Sequence, residues 1–358
     1  MASLFVVKVG TNVVSRADGS PDITTMSQLV DQISQLKKAG NQVILVSSGA
    51  VGSGRAALRH ITETNPVIQR QLFAAVGQVR LMNRWAELFS QYHLFCGQVL
   101  ATREDFRDRN HYLNMKNCFQ ALLRDEIIPI VNENDVISVS ELMFTDNDEL
   151  AGLIAGMMNA SHLVLLTNVD GIFTGQPGEP GSEQIPEIRA GEKKLTIVTP
   201  TKSSFGRGGM QTKYRIALKS ARMGIPVTIA NGKQPGVLTD LVTGKSRGTR
   251  LVAESAASGV KKWLAFQAEA KPAIRINHGA LSALRDRTQV RSLLPVGVTD
   301  IVNDFNRGDL IRILGPASEP VGVGKAQYGS DKLRDWMGQS GKKPVIHYDY
   351  LFLDDDHE

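Results

Sequence analysis

Three segments of the 358-residue chain hold residue types that chemistry needs at close spacing. SSGAVGSGR (Ser47 to Arg55) follows a β-type run and opens toward a helical one. Its glycines, Gly49, Gly52 and Gly54, let backbone N–H groups approach a phosphate or carboxylate, with the helix dipole assisting. A tight strand-to-helix turn asks for the same glycines, so spacing alone leaves both readings open. The segment lacks the Gly-Lys-Ser/Thr of a Walker A loop and does not fit GxGxxG. FGRGGMQTKYRIALKSARMG (Phe205 to Gly224) is the second segment. Gly206, Gly208 and Gly209 precede a helical run whose first turns hold Thr212 and Lys213. Backbone amides plus one mobile lysine charge make a phosphate clamp; a flexible surface loop is the alternative.

The third segment is acidic: VNENDVI (Val131 to Ile137) followed by FTDNDELAG (Phe144 to Gly152). Asn132, Asn134 and Asp135 follow a strand, at the carboxyl end where open α/β sheets bind ligands. Asp146, Asn147 and Asp148 begin a helix, and one of them serves as its N-cap. Three polar residues in a row exceed what capping requires. Lys8 is a charge inside an apolar first strand, so it either meets a partner or reaches solvent. The seven histidines show no metal-ligand spacing, and Cys96 and Cys118 form no CxxC. No G-x-S-x-G elbow suggests a hydrolase.

The elements that must position these residues alternate along the first 250 positions. β-type runs cover Leu4 to Val9, Val43 to Ser48, Phe95 to Leu100, Ile127 to Val131, Leu163 to Thr167 and Val227 to Ala230. Helical patterns lie between them, including Val67 to Phe89, Asn114 to Leu123 and Glu149 to Met158. This predicts an α/β fold with a mostly parallel sheet sandwiched by helices. After Glu254 to Pro272, which reads as a connecting helix or linker, short β-type pieces punctuated by Gly and Pro predict a small β-rich barrel.

Composition excludes several classes. The apolar share is 42% and the charged share 22%, which suits neither a disordered nor a fibrous chain. No apolar run reaches the roughly 20 residues that span a bilayer. MASLFVVKVG reads as a first strand and not as an export signal, and two cysteines fit a reducing cytoplasm. The net charge of +5 lies in the first 270 residues, because 12 basic and 12 acidic residues balance from Lys271 onward. It is spread thinly, which suits a pocket for an anionic small molecule better than a nucleic-acid groove.

Six motifs in series then carry a resemblance: KVGTNVVS (Lys8 to Ser15), SSGAVGSGR, VNENDV, DNDELAGLIA, LLTNVDGIFT (Leu165 to Thr174) and GRGGMQTK. Together they resemble the glutamate 5-kinases of the amino acid kinase family. SLLPVGVTDI (Ser292 to Ile301) and FNRGDLIRI (Phe305 to Ile313) resemble the PUA domain that many bacterial members carry. The resemblance implies a kinase domain over residues 1–256, a linker over 257–270 and a PUA domain over 271–354.

Carried over residue by residue, the resemblance implies ATP-dependent phosphorylation of the γ-carboxylate of L-glutamate, the first step of proline biosynthesis. Ser48, Asp135 and Asn147 match the glutamate-binding positions. Lys8, Thr167, Asn168, Arg207, Gly208, Gly209, Met210, Gln211, Thr212 and Lys213 match the ATP-binding positions, and Lys8, Asp148 and Lys213 the catalytic group. Two positions depart from the pattern: Asn168 stands where Asp is common, and Arg207 replaces a small residue. The expected arrangement has Lys8 and Lys213 flanking the transferring phosphoryl, Asp148 holding both, and the amides at Gly49, Gly52 and Gly54 nearby. Mg²⁺ is expected mainly on ATP oxygens. The resemblance further implies proline as a feedback inhibitor, glutamyl-phosphate reductase as the next enzyme, and a homo-oligomer (dimer or tetramer). Kinases of acetylglutamate, aspartate, carbamate or UMP are the nearest rivals; an RNA-binding protein is the rival from another class, with weak or no nucleic-acid binding expected.

Overall fold

The computed structural model describes residues 2–58, 60–107, 109–137, 146–189, 209–245, 247–253, 272–286 and 291–353. The chain divides into two compact units, Met1–Ala256 and Ala257–Glu358.

The first unit runs β1 (Leu4–Val9), α1 (Thr11–Val14), α2 (Ile23–Lys38), β2 (Gln42–Ser47), α3 (Ala50–Ala57) and α4 (Pro66–Ser90). It continues with β3 (Cys96–Ala101), α5 (Arg103–Arg107), α6 (Arg109–Arg124), β4 (Ile128–Glu133), α7 (Asn147–Met158), β5 (His162–Thr167) and β6 (Glu187–Arg189). α8 (Met210–Arg222), β7 (Val227–Asn231), α9 (Val237–Val242) and β8 (Thr249–Val252) complete it. The eight strands form one sheet in the order β3-β4-β2-β1-β5-β7-β8-β6. β1 pairs in parallel with β2 and with β5, and β2 pairs with β4 and β5 with β7 in the same sense. Such central strands are covered on both faces, which is why LFVVKV is buried at every position.

Parallel pairing brings the carboxyl ends of β1, β2, β4, β5 and β7 to one edge of the sheet. The register sets Lys8 beside Val46 and Leu165, and the next turns begin at Gly10, Ser48, Asn134, Asn168 and Gly232. The core beneath that edge includes Val7, Val9, Met26, Leu45, Leu81, Trp85, Phe89 and Leu166. Trp85 Nε1 donates to Ser47 Oγ at 2.9 Å, bracing the end of β2.

The second unit holds β9 (Ala273–Ile276), α10 (His278–Arg285), β10 (Val298–Ile301), β11 (Leu310–Leu314), β12 (Pro320–Ala326), α11 (Ser330–Trp336) and β13 (Ile346–Leu353). Its five-stranded sheet has the order β10-β9-β11-β12-β13 and is antiparallel except between β11 and β9. It has its own core, around Ile274, Ile276, Ile311, Ile313, Leu333 and Ile346.

Two features depart from the sequence reading of the first unit. β8 and β6 extend the sheet, and β8 runs antiparallel to β7. These strands have only four and three residues, too few for a periodic pattern to register. In the second unit, α10 and α11 join the β-rich pattern; Asn277 caps α10 by accepting from Ala280 N at 2.8 Å.

Candidate active site

α7 is apolar along most of its length and packs against β1 and β5, so its polar first turn is delivered to the carboxyl edge of the sheet. Asp146 caps it, with Oδ1 accepting from Asp148 N at 2.9 Å and Glu149 N at 3.2 Å. That assignment frees Asn147 and Asp148 for other work. Asp148 is fully buried, and its two oxygens meet two different lysines. Lys8 Nζ lies 2.7 Å from Oδ1, and Lys213 Nζ donates to Oδ2 at 2.8 Å. The lysines come from β1 and from the first turns of α8, so one carboxylate ties three elements together.

The electrostatics follow from that geometry. Burial alone would raise the Asp148 carboxyl, but the two ammonium groups outweigh it and hold the carboxyl well below its usual range. Burial likewise works against the Lys213 charge, yet the Asp148 carboxylate wins and raises the lysine. Asp146 moves the other way: burial and the neighbouring Asp148 charge push it up to about 7, against the pull of Lys8 and Lys213. Two lysines, one firm carboxylate and one carboxyl only partly ionised at neutral pH leave an excess of positive charge, which suits a phosphoryl group.

Beside this cluster lies a cavity of about 650 Å³. Ser48, Gly49, Gly52, Asp135, Asn147 and Asn168 all line it, together with Asn132, Asp146, Arg70 and Lys233. Gly49 has φ of +109° and is the N-cap of α3, a conformation that favours glycine. The helix that follows leaves its first N–H groups without intrahelical partners, at the cavity wall where an anion can take them. Asn147 Nδ2 donates to Ser48 Oγ at 2.8 Å and to Asn132 Oδ1 at 2.9 Å, and Asn132 Nδ2 donates to Gln78 Oε1 at 2.8 Å. Asn147 Oδ1 and Asp146 Oδ2 are buried without hydrogen-bond partners among the described residues. Asp135 is 8% exposed and meets Arg70 Nη2 at 2.5 Å.

Of the positions expected to meet ATP, Thr167 ends β5, and its Oγ1 donates to Asn168 Oδ1 at 3.4 Å. Gly209 is the N-cap of α8, and Met210, Gln211 and Thr212 form the turn before Lys213. Arg207 and Gly208 lie outside the described residues.

Two expectations need correction. Gly54 sits in the middle of α3, not in a phosphate-facing loop. A Cβ there would lie 1.9 Å from the backbone oxygen of Phe73, and one on Gly77 would lie 1.8 Å from that of Ala50. Both glycines serve close contact between α3 and α4. Asn132, read as following its strand, lies within β4. Arg70 and Lys233 were not anticipated. Lys233 follows the carboxyl end of β7, so the rule that singled out Asp135 after β4 would have found it. Nothing in the helical pattern around Arg70 distinguishes it from a surface arginine.

A mostly parallel sheet whose carboxyl edge gathers two lysines on one buried carboxylate suits a small-molecule kinase. The amino acid kinase family model matches residues 3–231 and the PUA domain model residues 272–348. The chain belongs to the amino acid kinase family. It is 51% identical to a glutamate 5-kinase of Bacteroides thetaiotaomicron over 98% of each chain. It is 47% identical to a glutamate 5-kinase of Chlorobaculum tepidum, over 98% of this chain and 97% of the other. Among solved structures, carbamate kinase from Giardia lamblia bound to AMP-PNP superposes with a TM-score of 0.54 at 18% identity. The match covers 71% of this chain and 99% of that one, a likeness of fold.

Proposed function

We propose that the chain is a glutamate 5-kinase, transferring the γ-phosphoryl group of ATP to the γ-carboxylate of L-glutamate and giving L-glutamyl 5-phosphate and ADP. The observation that carries this reading is the Lys8–Asp148–Lys213 cluster beside a cavity lined by Ser48, Asp135 and Asn147. Identity of 51% to a glutamate 5-kinase along 98% of the chain supports it.

The chemistry needs little from the protein beyond position and charge. A glutamate γ-carboxyl, with a pKa of about 4.3, is ionised at neutral pH and needs no general base. One of its oxygens forms a bond to the γ-phosphorus while the bond to the β–γ bridging oxygen breaks, and ADP leaves with that electron pair. No proton moves. What must be overcome is repulsion between two anions and the charge that builds on the transferring group. Lys8 and Lys213 supply the compensating charge, Asp148 fixes both, and the amides from Gly49 to Gly52 meet phosphoryl oxygens. Thr167, Asn168 and the run Arg207 to Lys213 hold the nucleotide. Mg²⁺ bound with the nucleotide would supply charge neutralisation at its phosphates, and Asp146 Oδ2, without a hydrogen-bond partner among the described residues, would meet one of its waters.

The same reading makes residues 1–256 the kinase domain, 257–270 a linker and 271–354 the PUA domain. It includes proline as a feedback inhibitor that shares the α-carboxylate and nitrogen of glutamate, glutamyl-phosphate reductase as the next enzyme, a homo-oligomer and a cytoplasmic location. The test of the activity is ADP release with glutamate, aspartate and N-acetylglutamate as rival acceptors. Glutamate should exceed the others at least tenfold in kcat/KM, and preference for either rival would overturn the assignment.

A further inference from the structure

Arg70 and Asp135 stand side by side on the cavity wall, one on α4 and the other just beyond β4. Their 2.5 Å ion pair leaves the carboxylate 8% exposed and the guanidinium 34% exposed. The guanidinium is under-used: Nη2 meets Asp135, while Nε is buried without a hydrogen-bond partner among the described residues. Nε and Nη2 form the edge of the fork that matches a carboxylate with two parallel hydrogen bonds. The pair is not the only tie between these elements. Gln71 Nε2 donates to Val136 O at 2.6 Å, so the next residue of α4 already anchors the segment after Asp135.

The proposed substrate carries an ammonium and a carboxylate on a single carbon. A site that reads such a zwitterion needs an anion and a cation as immediate neighbours at one end of its cavity, which Asp135 and Arg70 are. We propose that Arg70 binds the α-carboxylate of the amino-acid substrate while Asp135 takes its ammonium. The internal ion pair then acts as a stand-in for the substrate's charges, exchanged for two intermolecular pairs on binding. Both side chains stay paired in either state, so no charge is left buried and alone. The arrangement selects free α-amino acids over acceptors that lack either charge. This inference rests on the glutamate 5-kinase reading and names Arg70 as a specificity residue within it.

Arg70→Gln tests it, with Arg70→Lys as the conservative variant. Losing a charge-assisted hydrogen bond to a carboxylate corresponds to about a 10–100-fold change in binding. Arg70→Gln should raise the glutamate KM by that factor, with kcat within about threefold and the ATP KM unchanged. Arg70→Lys should recover part of the loss. The inhibition constant of 4-aminobutyrate, which is glutamate without its α-carboxylate, should be the same in wild type and Arg70→Gln. An unchanged glutamate KM, or equal losses for glutamate and 4-aminobutyrate, would overturn the role of Arg70 alone. Wild-type protein without glutamate-dependent ADP release would overturn the kinase reading beneath it.

Discussion

Replacing Asp148 by Asn removes one charge and almost no volume from the centre of the site. Wild-type Asp148 is fully buried with ammonium groups at 2.7 and 2.8 Å, so the variant leaves two lysines facing one neutral amide. Breaking a buried pair from one side costs about 3–5 kcal/mol. Asn keeps one acceptor oxygen for one lysine, which puts the loss near the bottom of that range, about 3 kcal/mol. At about 2–4 °C per kcal/mol for a unit of this size, Tm should fall by about 6–12 °C. The catalytic loss is separate. Misplacing the groups that meet developing charge typically costs 10²–10³ in rate, about 3–4 kcal/mol.

The assay is steady-state ADP release at 25 °C, with folding checked by circular dichroism. kcat should fall at least 100-fold, with the glutamate KM changed far less, because the missing interaction belongs to the transition state. The pH profile adds a second readout. Asp148 raises Lys213, so the variant lowers that pKa, and activity should decline at lower pH as the solution is made basic. A folded variant with kcat within threefold of wild type would refute the arrangement, leaving Asp148 as a structural counter-ion.

Gly54→Ala introduces a methyl group 1.9 Å from a backbone oxygen, and overpacking of that kind costs about 1–3 kcal/mol. Tm should fall by several degrees with kcat per folded molecule preserved; a kcat loss at unchanged Tm would return Gly54 to the phosphate loop. Asp146→Asn keeps an oxygen for the α7 cap and removes a carboxyl whose folded pKa is raised to about 7. A raised carboxyl pKa favours the fold below the unfolded value near 4 and loses that benefit as pH rises toward 7. The variant should therefore gain Tm relative to wild type at pH 8 and little at pH 4; the reverse order would contradict the sign of the shift. A chain ending at residue 268 should keep glutamate-dependent ADP release, since every residue given a chemical role lies before residue 257. A well-folded truncation without activity would mean that the second unit helps build the site.

Much of this site was legible because its chemistry needs charge in unusual places. Lys8 interrupts a continuous apolar strand, and three polar residues open an otherwise apolar helix; both patterns are local and both surround Asp148. Parallel strands advertise their carboxyl ends, which pointed to Asp135, whereas Ser48 and Asn168 entered through the motif resemblance alone. Glycine was harder to read, because one residue serves two ends. Gly49 adopts a positive φ at the cavity, whereas Gly54, five positions on, admits a neighbouring helix, and only the three-dimensional contact separates them. The antiparallel direction of β8 is a property of pairing and leaves no local pattern. Arg70 became visible only through its partner, 65 positions away in sequence.

The central claim is that the glutamate γ-carboxylate itself attacks phosphorus, and isotope position tests this most directly. The enzyme is given ATP and L-glutamate labelled with ¹⁸O in the γ-carboxylate, with hydroxylamine present to intercept an acyl phosphate. Attack of hydroxylamine at the acyl carbon releases phosphate that keeps the bridging oxygen. The account predicts γ-glutamyl hydroxamate in step with ADP, and inorganic phosphate carrying one ¹⁸O. Unlabelled phosphate would mean that water receives the phosphoryl group and would contradict it.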